Sequence, residues 1–461
     1  MKLILRMAIV LAILATSVAV WAQDVVPSPE IPNPLTIDDA LALAFQYNPE
    51  LGIATAQVNK ARGVVAEARG RFRPTFNAQV VQLFQGPPVS FEINGDSIDI
   101  KPALLTSGQA SVFLPLDING KLRYASRIAD DQFQIYYLGL LRVSEQLISQ
   151  VKRSYYEVLR ASGQAETAQA AVDVATLRLK NTQSRFDAGT VPKFDVTTAQ
   201  VDLANLNQQL IASQSRVSIA QANLNRVLGI APDSTTQVAK VNVPVTVTEV
   251  DIPASSQAAR DARPEVKIQQ HSISMNEENI SLQRAGLRPS LGVAGAFDVV
   301  SSQSFGSGTS SYSVGATLSI PIWDGGVTKA KVDQAHGDLQ AANATLNQTQ
   351  LMVNQEVSTA ALTLQEAAKR SKAAADSVAL AEEALRLANV RYDAGIAVLL
   401  EVTNAESQLT QARFNLVNAQ YDYAIALADF QRATASQPEL AKLRLIDNSA
   451  LLKTAPKPAA E

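Results

Sequence analysis

RFDAGTVPKFDV (185–196) and RYDAGIAVLLEV (391–402) are one short stretch used twice, 206 residues apart. Arg185 matches Arg391, Phe186 matches Tyr392, Asp187-Ala188-Gly189 matches Asp393-Ala394-Gly395, and Asp195-Val196 matches Glu401-Val402. A glycine after a helix marks a left-handed stop. The acidic residue six positions on falls where a new helix begins and its dipole favours negative charge. Each copy therefore reads as the tip of a helical hairpin.

Outward from the tips, apolar and small residues recur at alternating steps of three and four, the heptad rule. Leu147, Val151, Ser154 and Val158 lead down to Leu179, Thr182 and Phe186, and Val196, Ala199 and Leu203 lead back to Val227 and Gly229. The same stripe runs from Val353 and Val357 to Tyr392, and from Val402 to Phe430. A helix from about Lys121 to Phe186 is roughly 100 Å long at ~1.5 Å per residue.

The repeat extends further upstream. Thr36 is a good N-cap for a helix carrying Ile37, Ala40, Leu41 and Ala44 on one face, and Asn48-Pro49 breaks it before a second helix to about Phe72. Arg263-Pro264-Glu265-Val266 echoes Asn48-Pro49-Glu50-Leu51, and Arg288-Pro289-Ser290 echoes Arg73-Pro74-Thr75. After each, period-two runs predict two strands: about 75–85 and 108–116 in the first half, 290–300 and 311–322 in the second. GPPVSFEINGD (86–96) and SSQSFGSGTSS (301–311) read as the loops between them. The offset is 215 residues before these loops and 206 after, so the length difference lies in the strand–strand connection, where it is cheap. Residues 230–256 are a connector whose VNVPVTVTEV is an edge strand or an extended segment, since Pro244 interrupts it.

Composition narrows the class. There is no cysteine, hence no disulfide, thiolate metal site or lipidated N-terminal Cys. The net charge of −3 is small and basic residues are spread, which argues against nucleic acid as a partner. Lys2 and Arg6, the apolar run Met7–Val20 and the small-residue cleavage site Val20-Trp21-Ala22 predict a signal peptide over 1–22. No later segment is apolar for long enough to span a bilayer as a helix. His271 and His336 lack a ligand cluster, and no catalytic constellation stands out, so neither enzyme, metal nor cofactor is expected. The expected organisation is a first repeat over 23–229, the connector 230–256, a second repeat over 257–436, and a partly disordered tail over 437–461. Four strands in an open sheet leave two free edges. In lipid each unpaired backbone group costs several kcal/mol, so the strands must close with copies from two, three or four chains or stay out of lipid.

These features together resemble the outer-membrane efflux proteins, the TolC-type exit ducts of bacterial tripartite pumps and type I secretion systems. The resemblance runs from LTIDDALALAFQYNPEL (35–51) to about Ser436. It implies a mainly α fold with a β-barrel part: a homotrimer with a twelve-stranded barrel in outer-membrane lipid and a long periplasmic α-barrel of coiled-coil hairpins. Its tips would dock a periplasmic adaptor that links the duct to an inner-membrane transporter. The docking residues would be Arg185, Asp187, Gly189, Thr190, Arg391, Asp393, Gly395 and Ile396. Asp195 and Glu401 would narrow the entrance, and Tyr392 would bond toward Asp195. Where the family often has an Arg and a second acid, this chain has Ala397 and Asn404. A looser latch is expected, with cation selectivity resting on Glu401 and less on Asn404. The competing reading is a periplasmic coiled-coil structural or adaptor protein, which would carry one hairpin between small β-domains.

Overall fold

Thr36 opens α1 (Ile37–Tyr47) with a reciprocal cap: its hydroxyl accepts from the Asp39 N–H at 3.2 Å, and the Asp39 carboxylate accepts from the Thr36 N–H at 3.4 Å. Asn48 ends α1 and caps α2 (Pro49–Gly70), accepting from the Glu50 and Leu51 amides. Strands β1 (Thr75–Phe84), β2 (Val89–Ile93), β3 (Asp96–Lys101) and β4 (Leu104–Leu116) follow. Then come α3 (Lys121–Asp187) and α4 (Lys193–Leu228), the first hairpin. The second half repeats the plan with α5 (Ile252–Ala262), α6 (Pro264–Arg284), β5 (Ser290–Ser302), β6 (Thr309–Ser319), α7 (Val327–Asp393) and α8 (Leu399–Ala433). The computed structural model describes residues 31–439 apart from 85, 88, 94–95, 102–103, 242, 247–248 and 303–308. The expected signal peptide and all but the start of the expected tail lie outside the described residues.

Both outgoing helices, α3 and α7, contain 67 residues, and the returning ones only 36 and 35. The shortfall is made up end to end. Gly229 closes α4 with φ +78, and a Cβ there would sit 2.3 Å from the Tyr47 carbonyl oxygen. Asn48 Nδ2 donates to Val227 O at 2.8 Å. So α4 stops against the α1–α2 junction, and α2 continues along the upper part of α3. The side-by-side order of the long helices is α4, α3, α8, α7.

The largest core lies where α1 and the connector pack on α3 and α4, around Leu35, Leu41, Ile148, Tyr155, Leu224 and Leu228. Leu35 bridges Val238 in parallel. The Tyr155 hydroxyl lies 2.9 Å from Leu35 O and 2.7 Å from Ala239 O, and burial pushes its pKa up to about 12. The bridge falls just ahead of the connector's strand-like run VNVPVTVTEV, whose described residues form no strand. The helix after it begins at Ile252, five residues before the expected repeat boundary, because Asp251 caps it by accepting from the Ala254 amide at 3.0 Å.

The main sheet has the order β1–β4–β5–β6, all antiparallel, with β1 and β6 at the edges. One face carries Phe76, Val80 and Phe84 of β1, Val112 of β4, Phe297 of β5 and Val314 of β6. The other carries Gln79, Ser111, Gln109, Asp298 and Ser313. Phe76, Val80, Phe84 and Val314 are each more than three-quarters exposed. A sheet apolar on one exposed face and polar on the other is built for lipid outside and water inside. The expected loop GPPVSFEINGD is instead mostly a second hairpin: Phe91 pairs with Ile98 and Ile93 with Asp96. Asn-Gly between alternating residues is a hairpin signal that outweighs the Pro pair before it.

Candidate functional site: the hairpin tips

At the first tip the Gly189 amide donates to Phe186 O at 2.8 Å and the Thr190 amide to Arg185 O at 2.9 Å. Gly395 and Ile396 do the same to Tyr392 and Arg391, both at 3.0 Å. Gly189 and Gly395 have φ of +75 and +70, the left-handed stop that places glycine there. Thr190 adds a side-chain bond to Arg185 O at 2.8 Å, and Gln183 Nε2 donates to Asp187 at 2.8 Å. Asp195 and Glu401 both fall in the first turn of a returning helix.

Beyond the turns the tips differ. Arg185 reaches out of its own hairpin to Asp393, at 2.9 Å, and its guanidinium lies 5.1 Å from the centre of the Tyr392 ring. The bonded Asp393 carboxylate holds that guanidinium further above its ordinary pKa. Arg391 turns back to Glu401 of its own hairpin, 3.4 Å away. The Tyr392 hydroxyl is buried and has no hydrogen-bond partner among the described residues. The expected Tyr392–Asp195 bond is therefore absent from the protomer. A ring stacked under a cation and an Arg185–Asp393 pair hold the tips together instead. Around them Phe194, Ile396, Val398 and Leu400 are exposed.

Asn404 is exposed and lines a groove of about 400 Å³ between the hairpins, above the tips. In that groove lies a cluster the sequence reading missed. Arg178 of α3 pairs with Asp202 of α4 at 3.3 Å and, more closely, with Glu406 of α8. Burial pushes the Glu406 carboxyl above its usual range, against the pull of Arg178. Partners 228 residues apart leave no local signal; only a cation beside the small-residue stripe hints at them. Higher up, α3 and α8 are tied by Gln164 to Asn418 at 2.6 Å, Arg160 to Asp422 at 3.1 Å and Arg153 to Asp429 at 2.6 Å. Each step along α3 meets an equal step back along α8, which sets the register of one hairpin on the other. His271 bonds Asp131 at 2.9 Å and His336 meets Arg284 at 3.2 Å. Among the described residues no His, Asp and Glu group is arranged to hold a metal ion.

Over residues 40–230 and 255–436 the chain matches the family described as outer membrane efflux protein. The chain belongs to that family. Outer membrane protein TolC of Vibrio cholerae is 24% identical over 472 aligned residues, covering 99% of this chain and 100% of that one. Alkaline protease secretion protein AprF of Pseudomonas aeruginosa is 28% identical over 300, covering 62% and 60%. The Campylobacter jejuni CmeC outer membrane channel superposes with a TM-score of 0.76 at 17% identity, over 90% of this chain and 89% of its own. VceC of Vibrio cholerae gives 0.72 at 20%, over 86% and 95%. The protein is a passive outer-membrane exit duct for efflux or secretion, with its helical hairpins in the periplasm. Two copies of helix–strand–strand–helix, rather than one hairpin between β-domains, set it apart from the coiled-coil adaptor reading.

Proposed function

We infer that the duct is a homotrimer that rests closed at its periplasmic tips and opens when a periplasmic adaptor docks there. The adaptor would couple it to an inner-membrane transporter that supplies energy and selects the cargo. The observation that carries this reading is the four-stranded sheet, apolar on one exposed face, with two unpaired edges. Two copies would give eight strands, whose interior side chains fill, so three copies are the fewest that leave a lumen.

The closed state is attributed to Arg185–Asp393, which ties the two hairpins of one chain at their ends. The exposed apolar residues Phe194, Ile396, Val398 and Leu400, beside Arg185, Asp187, Gly189, Thr190, Arg391, Asp393 and Gly395, form the adaptor's footing. Asp195 and Glu401 supply a carboxylate ring that favours cations, weakened at Glu401 by Arg391 and at Asn404 by the missing charge.

Single-channel conductance of the purified trimer in a planar bilayer tests this. Wild type should conduct little and prefer cations. Arg185→Ala should raise conductance several-fold, and Tyr392→Phe should leave it unchanged. A wild-type pore already wide, and indifferent to Arg185→Ala, would keep the duct and discard the tip closure. Soluble periplasmic protein with no channel would overturn the whole reading.

A further inference from the structure

The four junctions between sheet and helices lie at one end of the sheet, where β1 and β5 begin and β4 and β6 end. Residues 71–74, 117–123, 287–289 and 320–331 make up these junctions and hold seven basic residues against two acidic ones. The connections at the other end, 85–103 and 303–308, hold three acidic residues and one lysine. The sheet thus separates a basic end from an acidic one.

Both acids of the basic end are already engaged. Asp117 accepts from the Leu122 and Arg123 amides at 2.9 and 3.0 Å, and Asp324 from the Gly326 and Thr328 amides at 3.0 and 2.7 Å. Arg73, Lys121, Arg288, Lys329 and Lys331 are exposed, and none of them is in an ion pair among the described residues. Arg288 donates to Asn119 O at 3.3 Å, which ties the second repeat's junction to the one that holds Lys121.

Several of these cations also stand against their own helix. Lys121 and Arg123 of α3 and Lys329 of α7 lie in the first turn, which holds no acidic residue in either helix. The helix dipole disfavours cations there. In contrast, α1, α2, α4, α6 and α8 each carry an acidic residue at that place. Arg123 and Lys329 are matched positions of the two repeats, as are Arg73 and Arg288. Both repeats therefore give up the same local gain, as expected where an outside anion supplies the missing charge.

Apolar side chains share the junctions. Phe72, Ile118, Leu287, Ile322 and Trp323 are exposed, Trp323 by 85%. They continue the apolar face of the sheet past Leu116 and Leu318. The 13 residues of β4, at ~3.3 Å each and tilted by about 40°, rise roughly 30 Å, the thickness of a bilayer's hydrocarbon. The cations therefore follow at headgroup level, before the periplasmic helices.

We propose that this collar binds the phosphates of anionic phospholipids in the periplasmic leaflet of the outer membrane. Arg73, Lys121, Arg288, Lys329 and Lys331 take the headgroups, and Trp323 sits at the hydrocarbon boundary. The contact fixes the depth of the sheet in the bilayer. It needs the outer-membrane setting, but neither the trimer nor the closure of the tips.

The test titrates the purified duct, in a nonionic detergent, with phosphatidylglycerol, phosphatidylcholine or inorganic phosphate and follows its unfolding temperature. Phosphatidylglycerol should raise that temperature most, at a several-fold lower concentration than phosphatidylcholine. Salt at about 0.5 M should remove the advantage. Arg73→Gln, Arg288→Gln, Lys329→Gln and Lys331→Gln combined should remove it too. Without lipid this variant should melt no lower than wild type, because a cation has left the start of α7. If it fails to fold, Lys329→Gln with Lys331→Gln alone should still cut the advantage at least twofold. Lys180→Gln with Lys372→Gln, far from the sheet, should keep it whole. Equal action of the two lipids, a collar variant that keeps the preference, or inorganic phosphate acting as well as the lipid overturns the proposal. Conductance of the same samples reports on the duct separately.

Discussion

Arg185 and Arg391 occupy the same place in two copies of one sequence, yet Arg185 reaches across to the other hairpin and Arg391 folds back onto its own. The same split recurs up the molecule. Ser149 and Lys152 of α3 are buried under α8, while their counterparts Gln355 and Ser358 of α7 are not. The repeats share local instructions, so helix lengths, stops and strand registers coincide. They differ wherever a neighbour is needed, because one repeat finds it within the chain and the other does not. Contrasts between matched positions therefore separate what a repeat requires for itself from what it requires of a partner.

The largest contrast is expected at the ends of the returning helices. Gly229 and Ala435 are equivalent, and both have positive φ, +78 and +52. At Gly229 a Cβ would strike the Tyr47 carbonyl, whereas Ala435 already carries one. Gly229→Ala should cost about 4 kcal/mol, from the left-handed backbone and the forced displacement of the α1–α2 junction. Ala435→Gly should stabilise, or change stability by less than about 1 kcal/mol. Thermal unfolding of the two variants side by side reads the difference. Equal effects would mean that the first repeat does not depend on stacking α4 against α2.

A smaller loss, about 2–3 kcal/mol, is expected for Arg178→Ala, which leaves Asp202 and Glu406 facing each other without their shared cation. Its pH dependence carries a sign. A carboxyl held above its ordinary pKa favours the fold when neutral, so stability falls as pH rises from the ordinary Glu value through the raised one. Burial already raises Glu406, and losing Arg178 raises it further. The variant should regain stability on acidification from neutral pH more than the wild type does. Ala384→Glu, at the matched position of α7, should show no such recovery.

Between α3 and α8, Gly163 lets Val417 close in: a Cβ there would lie 2.9 Å from Val417 Cγ1. Gly163→Ala sets the gain in helix propensity against that overlap and should cost about 1 kcal/mol net. The matched pair on the open faces is Lys369 and Ile211, so Lys369→Ala should change stability by less than about 0.5 kcal/mol. A thermal melt in which Gly163→Ala stabilises would show that the helix spacing has slack.

What could be read in advance divides along the same line. The tips, the long helices, the four main strands and the repeat offsets are local patterns of period, cap and stop, and residue order holds them. The β2–β3 hairpin was hidden because Gly86-Pro87-Pro88 marks a loop just ahead of it, although Asn94-Gly95 between the two runs is the stronger signal. The start of α5 was hidden because Pro253 sits inside it; at the first turn a proline costs no hydrogen bond. The Arg178 cluster and the true neighbour of Tyr392 depend on how one hairpin lies on the other, and no window along the chain contains both partners. At the tips Arg185 meets Asp393 and Tyr392, and Arg391 meets Glu401. Which of them pair is decided by the packing of two helices that meet only after 200 residues of intervening chain.

The smallest expected effect is on stability at the tips themselves, and there the readout must change. Arg185–Asp393 and Arg391–Glu401 are both exposed pairs, so Arg185→Ala and Arg391→Ala should each shift the unfolding free energy by less than about 1 kcal/mol. Their consequences for the pore should still be unequal. Arg185 spans two hairpins, so its loss removes an ion pair that ties their ends. Arg391 joins the end of α7 to the start of α8, next to each other across the turn, so its loss leaves the spacing of hairpins untouched. It also uncovers Glu401. Arg185→Ala should therefore widen the entrance and raise conductance with little change in ion preference. Arg391→Ala should sharpen cation preference at nearly constant conductance. Reversal potential and conductance, measured on the same bilayer, distinguish the two. If both variants raise conductance alike, the two arginines close the duct together, and the difference between their partners belongs to the isolated chain rather than to the assembled duct.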